Sequence, residues 1–160
     1  MPPRGTAECY TNVIAMLKTI RGAPTFWTNL EGRVYSALWT PADNKSKLPF
    51  ISTCLIDEPH EYTWADDGDH LVFGWKVRLA AFVPETASNT ADRLCSFDLL
   101  KLHDDIVKVI LLDPTLQDTA SVVRLSAGAP LVSGIPEFLY GEQHFNLEIT
   151  QYLSLEGLGP

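Results

Sequence analysis

The sequence predicts a single-domain α+β protein with two main helices, and three observations carry that expectation. A helical apolar period runs through residues 7–21, a strict two-residue alternation runs through 71–82, and a second helical period ends at Asp113-Pro114 before alternation returns near the C-terminus. At 160 residues with 46% apolar positions, the chain can bury one core and is too short for two ordinary domains.

In the first helix, Tyr10, Val13, Ile14, Leu17 and Ile20 recur at spacings of three and four, which places them on one core-facing stripe. Glu8, Asn12, Lys18 and Thr19 fall outside it, and Gly22 followed by Pro24 is expected to stop the helix. Residues 34–39 and 50–56 are rich in β-branched and aromatic side chains and read as strands joined by a polar loop, 40–47. Pro49 cannot donate a ladder hydrogen bond, so it belongs at the entry of the second strand or on an edge.

Residues 57–70 are acidic and carry two histidines, which raises a metal site as a candidate. With Gly68 as the turn glycine of a calcium loop, however, the first and last ligands would be Thr63 and Gly74, and neither fits. The segment reads instead as an acidic turn bent at Asp66-Asp67-Gly68, with charge available to an assembly interface.

The alternation in 71–82 sets Leu71, Phe73, Trp75, Val77, Leu79 and Ala81 on one face and Val72, Gly74, Lys76, Arg78, Ala80 and Phe82 on the other. A dozen extended residues span about 40 Å, so part of this strand is expected to project beyond its sheet. Lys76 and Arg78 would then guard the projecting edge against accidental pairing.

After Pro84, Ser88 or Asn89 can cap a helix whose core stripe is Cys95, Leu99, Leu102, Ile106, Val109 and Ile110. Arg93, Lys101, Asp104 and Lys108 lie opposite, with Asp104 and Lys108 spaced as an i,i+4 ion pair. Leu100, Val107 and Leu111 widen the apolar arc beyond what one sheet face needs, so this edge is assigned to the first helix or a neighbouring subunit. His103-Asp104-Asp105 has the look of a metal-binding pair, but His103 sits at the margin of the stripe, where a core-edge histidine belongs.

Residues 115–120 connect to a short strand, 121–125. Residues 126–143 gather glycines, prolines and the apolar Leu131, Ile135, Phe138, Leu139 and Tyr140; they are assigned to a partner-docking loop, with an irregular hairpin as the alternative. In the last strand, 144–152, Phe145, Leu147 and Ile149 face inward while Asn146, Glu148 and Thr150 face outward, and the tail 153–160 is expected to fray.

A net charge of −8 and a pI near 4.8 argue against nucleic-acid binding by attraction. No apolar run has the length of a membrane span or signal peptide, which predicts a soluble, unexported chain. Cys9, Cys54 and Cys95 lack paired spacing and suit reduced, buried thiols of a cytosol. There is no nucleophile elbow, phosphate loop, dinucleotide fingerprint or C-x-x-C pair, so no catalytic, cofactor-binding or metal-binding residue is assigned and a non-enzymatic role is expected.

Taken together, the order of parts resembles tail terminator proteins of long-tailed bacteriophages and related tail-completion proteins. The likeness is carried by the helix Tyr10 to Ile20, the strand opened by Leu48-Pro49-Phe50, the strand around Trp75-Lys76-Val77-Arg78-Leu79, the phrase Leu112-Asp113-Pro114-Thr115-Leu116, and the closing strand from Phe145 to Tyr152. One departure is local: a glycine pair often follows the leucine of the D-x-T-L phrase, and here Gln117-Asp118 stands in its place.

The resemblance implies a mostly antiparallel sheet with two main helices packed on it. It also implies a virion structural protein that forms a hexameric ring at the neck, caps the finished tail tube and takes part in tail assembly by joining the tail to the head. Its partners would be further copies of itself, the major tail tube protein and the head-tail connector, with assembly in the host cytoplasm. Lys76, Arg78, Leu100, Val107 and Leu111 would serve the subunit interface, and Asp66, Asp67 and Asp69 would face a lumen through which DNA slides without specific binding. The competing expectations are another neck or tube-joining component and a small cytosolic enzyme with a noncontiguous site.

Overall fold

The computed structural model describes residues 5–44, 47–56, 61–84, 97–135 and 138–154. Its elements in chain order are α1 (Thr6–Leu17), β1 (Val34–Tyr35), α2 (Pro41–Asn44), β2 (Phe50–Leu55), β3 (Glu61–Trp64), β4 (Leu71–Pro84), α3 (Phe97–Leu112), β5 (Val122–Ala127), β6 (Leu131–Ile135) and β7 (Phe138–Leu153). The expected caps Ser88 and Asn89, together with Arg93 and Cys95, lie outside the described residues.

The domain is α+β, with a seven-stranded, mostly antiparallel sheet and strand order β1-β2-β4-β7-β5. Two long antiparallel strands form its spine: β4 pairs with β7 from Leu71↔Leu153 to Pro84↔Tyr140. The outer side of β4 is taken in succession by β3 and β2, and that of β7 by β5 and β6. Among the described strands, only β1 runs parallel to its neighbour, β2.

The alternation along β4 and β7 decides where the core sits. Phe73, Trp75, Val77, Leu79 and Ala81 from β4 and Phe145, Leu147 and Ile149 from β7 are buried on one face. Against them pack Cys9, Val13, Met16 and Leu17 of α1 and Leu99, Leu102, Ile106, Val109 and Ile110 of α3. Each fully buried Leu, Ile or Phe stabilises the domain by about 1.5–3 kcal/mol relative to exposure. The opposite face is not the one against which α1 and α3 pack. One end of that face is closed by a row of rings across four strands: Tyr35 and Phe50 lie 5.9 Å apart, Phe50 and Phe82 5.1 Å, and Phe82 and Tyr140 6.0 Å, with Trp39 4.5 Å from Tyr35.

Several expectations are corrected. β4 does not project, because β7 pairs with it over all fourteen of its residues, so Lys76 and Arg78 sit on an interior strand and guard no edge. The acidic stretch contains a strand, β3, whose Tyr62 stacks on Phe73 at 4.6 Å. Residues 126–143 form no free loop: β6 and the start of β7 make a hairpin in which Leu131 pairs with Glu142 and Ile135 with Phe138. The strand predicted at 34–39 is only two residues long, and the connection to β2 holds the single turn α2. Leu153 is buried at the end of β7 instead of fraying.

Polar side chains correct the reading of both helices. Asn12 is buried, because its amide donates to the Leu116 carbonyl at 3.2 Å. α1 ends at Leu17, ahead of Gly22: Thr19 and Ile20 N–H groups bond to Met16 and Leu17 carbonyls, tightening the exit to three-residue turns. Gly22 serves the following loop, where its φ of +84° suits glycine. On α3, Lys108 leaves Asp104 and donates to the Thr25 carbonyl at 2.5 Å, while Asp105 is buried and holds the same loop. Cys9 is buried as expected, whereas Cys54 is only half-buried.

A second buried polar chain joins the layers. Trp75 Nε1 donates to Gln151 Oε1 at 2.9 Å, and Gln151 Nε2 donates to the Thr119 carbonyl at 2.7 Å. The turn it reaches is left-handed: Leu116, Gln117 and Asp118 have φ of 51°, 59° and 60°. Asp113 holds the turn by accepting the Gln117 N–H at 2.8 Å and the Thr115 hydroxyl at 3.0 Å, and Leu116 is driven into the core as a plug.

Candidate functional site

The chain places its outward-facing features on four surfaces. The first is the edge of α3. Leu100 and Leu111 are 39% and 73% exposed, Val107 is half-buried, and Phe97 and Leu112 join them in solvent. Asp104, Val107, Lys108, Leu111 and Leu112 line a shallow groove of about 290 Å³ there. Large apolar side chains gathered on one helix edge are what an interface leaves bare before assembly.

A second apolar surface lies where the helix layer ends above β3. Trp64 and Tyr62 are exposed beside Leu55, next to a groove of about 460 Å³ lined by Thr6, Ala7, Tyr10, Leu55, Phe73 and Trp75. Sequence reading missed this ledge because β3 was hidden inside an acidic segment; the available signal was the spacing of Tyr62 and Trp64, two residues apart.

The third surface is the β3–β4 hairpin tip. Asp66, Asp67 and Asp69 are all exposed there, around Gly68 at φ +72°. They do not act alike. Asp67 Oδ1 accepts the Asp69 and His70 N–H groups at 2.9 and 3.2 Å, and its Oδ2 lies 2.8 Å from His70 Nδ1. The Asp69 backbone bond, followed by the His70 side chain, holds the Asp67 carboxyl below its ordinary range. Asp66 and Asp69 direct their charge outward.

The fourth surface is the face of the sheet opposite α1 and α3, where Arg78, Ser126, Ala127, Gly128, His144 and Asn146 line a cleft of about 560 Å³. Register assembles it: Arg78 on β4 stands opposite Asn146 on β7, which stands opposite Ser126 on β5. His144 Nε2 lies 2.6 Å from Glu142, and Lys76 reaches Glu148 at 3.7 Å in the neighbouring row, so Lys76 is already paired within the subunit. Arg78 makes no ion pair among the described residues. No local motif announces this cleft, because its residues come from three strands.

The five residues assigned to a docking loop part company. Leu131 and Leu139 are exposed, while Tyr140 packs against Phe82, and its hydroxyl is raised above the usual range by burial and then by the Glu142 charge. Ile135 and Phe138 are placed by strand pairing alone, since their side chains lie outside the described set.

Among the described residues no three His, Cys, Asp or Glu side chains converge in a way that could hold a metal. His103 instead bonds to Gln143 at 3.2 Å and packs 5.4 Å from Phe145, which makes it a core-edge histidine. No described helix is long and apolar enough to cross a membrane. No protein-family model and no curated protein matches the chain.

Proposed function

We propose that this chain is a tail terminator: a virion structural subunit that assembles with further copies into a ring, caps the tail tube and joins it to the connector of the head. The observation that carries the reading is the left-handed turn after Asp113-Pro114-Thr115-Leu116. Glycine is favoured where φ is positive, and the resembled proteins often carry a glycine pair at this point. Gln117 and Asp118 stand there in this chain, and both take positive φ, 59° and 60°, the region that favours glycine.

The surfaces suit the job. Phe97, Leu100, Leu111 and Leu112 offer an apolar strip for a neighbour, and the Trp64 ledge offers a second strip elsewhere on the molecule. Two different patches on one subunit favour heterologous contacts, which close into rings when the rotation allows. A net charge of −8 lets DNA pass without being held.

Deletion tests the reading. In a tailed phage carrying this gene, loss of the protein is expected to give tails of uncontrolled length that fail to join heads. Tails of normal length that lack only head attachment would assign the chain to another neck component, and normal virions would refute the proposal.

A further inference from the structure

The sheet face opposite α1 and α3 carries a site that the apolar surfaces do not explain. We infer that the Arg78 cleft is an oxyanion site that receives the acidic β3–β4 hairpin tip, Asp66 and Asp69, of a second copy of this chain. The inference rests on the ring reading above and names the contact that would join one subunit to the next.

The cleft is built for an anion. Its lining offers the Arg78 guanidinium, the Asn146 amide and the Ser126 hydroxyl, and no carboxylate is among the lining residues. A guanidinium presents five N–H donors in a plane that matches a carboxylate. The nearest acids are engaged elsewhere: Glu142 lies against His144 and Glu148 against Lys76. Arg124, opposite Glu148 in the β5–β7 register, adds a further positive charge beside the cleft. Arg78, Lys76 and Arg124 therefore exceed Glu142 and Glu148 by one positive charge around the cleft, in a chain whose net charge is −8.

The occupant follows from charge and reach. Two copies of a chain with charge −8 repel at long range, so the attraction acts at contact, where a short carboxylate-bearing turn brings its charge directly to the guanidinium. The hairpin tip is such a turn: Asp67 locks its shape and leaves Asp66 and Asp69 pointing outward. It cannot fill its own cleft, since Asp69 precedes Arg78 by nine residues, roughly 30 Å along an extended strand. Tip and cleft are different patches, so their pairing can run head-to-tail from subunit to subunit, and it closes a ring where the rotation between them allows. On this assignment Asp66 and Asp69 lie between subunits instead of facing the lumen.

Analytical ultracentrifugation of the full chain up to millimolar concentration tests the contact. Wild-type protein is expected to self-associate, more weakly as salt rises. Arg78→Glu, and separately the pair Asp66→Lys with Asp69→Lys, should each weaken association by at least about tenfold. An equal mixture of the two variants should recover the wild-type mass, because each reversed cleft then meets a reversed tip. Lys18→Glu makes the same change of net charge as Arg78→Glu, at an exposed helix end, and should leave association within about twofold. Recovery in the mixture with an inert Lys18→Glu establishes the contact. A monomeric wild type, a mixture that stays dissociated, or an equal loss in Lys18→Glu overturns it, and none of these results touches the deletion phenotype on which the tail reading stands.

Discussion

Asp105 on α3 accepts the backbone N–H of Thr28 at 2.7 Å across 77 residues of sequence, and its other oxygen accepts the N–H of Trp27 at 3.0 Å. The carboxylate is buried, so the loop after α1 is fastened to α3 by an acid that helical periodicity places among the core positions. Lys108, one turn further on, holds Thr25 of the same loop and lies 5.5 Å over the Phe26 ring.

Asp105→Ala removes both acceptors and leaves two backbone donors without partners. A loss of about 2–4 kcal/mol is expected from urea unfolding, with the Trp27 and Thr28 amides exchanging faster than in the wild type. A change below about 0.5 kcal/mol would mean that the loop is held by other contacts.

The left-handed turn gives a prediction of opposite sign. Gln117 holds φ at 59° without a glycine's freedom, and its N–H bond to Asp113 survives any side-chain change. Gln117→Gly should therefore raise stability by roughly 0.5–1 kcal/mol, since the left-handed penalty for a residue with a Cβ exceeds the entropy glycine adds to the unfolded chain. A lower melting temperature would contradict the turn geometry.

Asp67 makes the hairpin tip sensitive to acid. Its folded pKa lies below the ordinary value of 3.8, so its ionised form is favoured by folding. The contribution is complete above that value and is lost as pH falls through the lower folded value. The amide resonances of Asp69 and His70 should shift together in that acidic window, and Asp67→Asn should remove the shift. Titration of those amides at the ordinary carboxylate value would contradict the bonds seen here.

Leu111 separates assembly from folding. It is exposed, so Leu111→Arg should change unfolding free energy by no more than about 0.5 kcal/mol. Purified variant should lose the capacity to complement the deletion. Normal virions with Leu111→Arg would remove the α3 edge from the interface.

Much of the helix-side face was legible in the sequence. Leu99, Leu102, Ile106, Val109 and Ile110 on α3, Phe73, Trp75, Val77, Leu79 and Ala81 on β4, and Phe145, Leu147 and Ile149 on β7 were assigned to the core-facing side and are buried there. The polar core positions were harder to read: Asn12 was set outside the apolar stripe and Asp105 is an acid at a core spacing, and their partners Leu116 and Thr28 arrive from distant segments. Of the residues proposed for subunit contact, Leu100, Leu111 and Arg78 are exposed, whereas Lys76 is paired with Glu148.

The amino-acid sequence by itself determined which side of each long element is apolar, because that periodicity is a local consequence of backbone geometry. It also determined the end of α3, through Asp113-Pro114. Only the tertiary structure decided that β4 is an interior strand, that residues 126–143 close into a hairpin, and that Arg78, Asn146 and Ser126 share one row. Those facts depend on the register between segments far apart in the chain, where a slip of one residue would turn every side chain to the other face, and no local pattern records which strand will lie alongside.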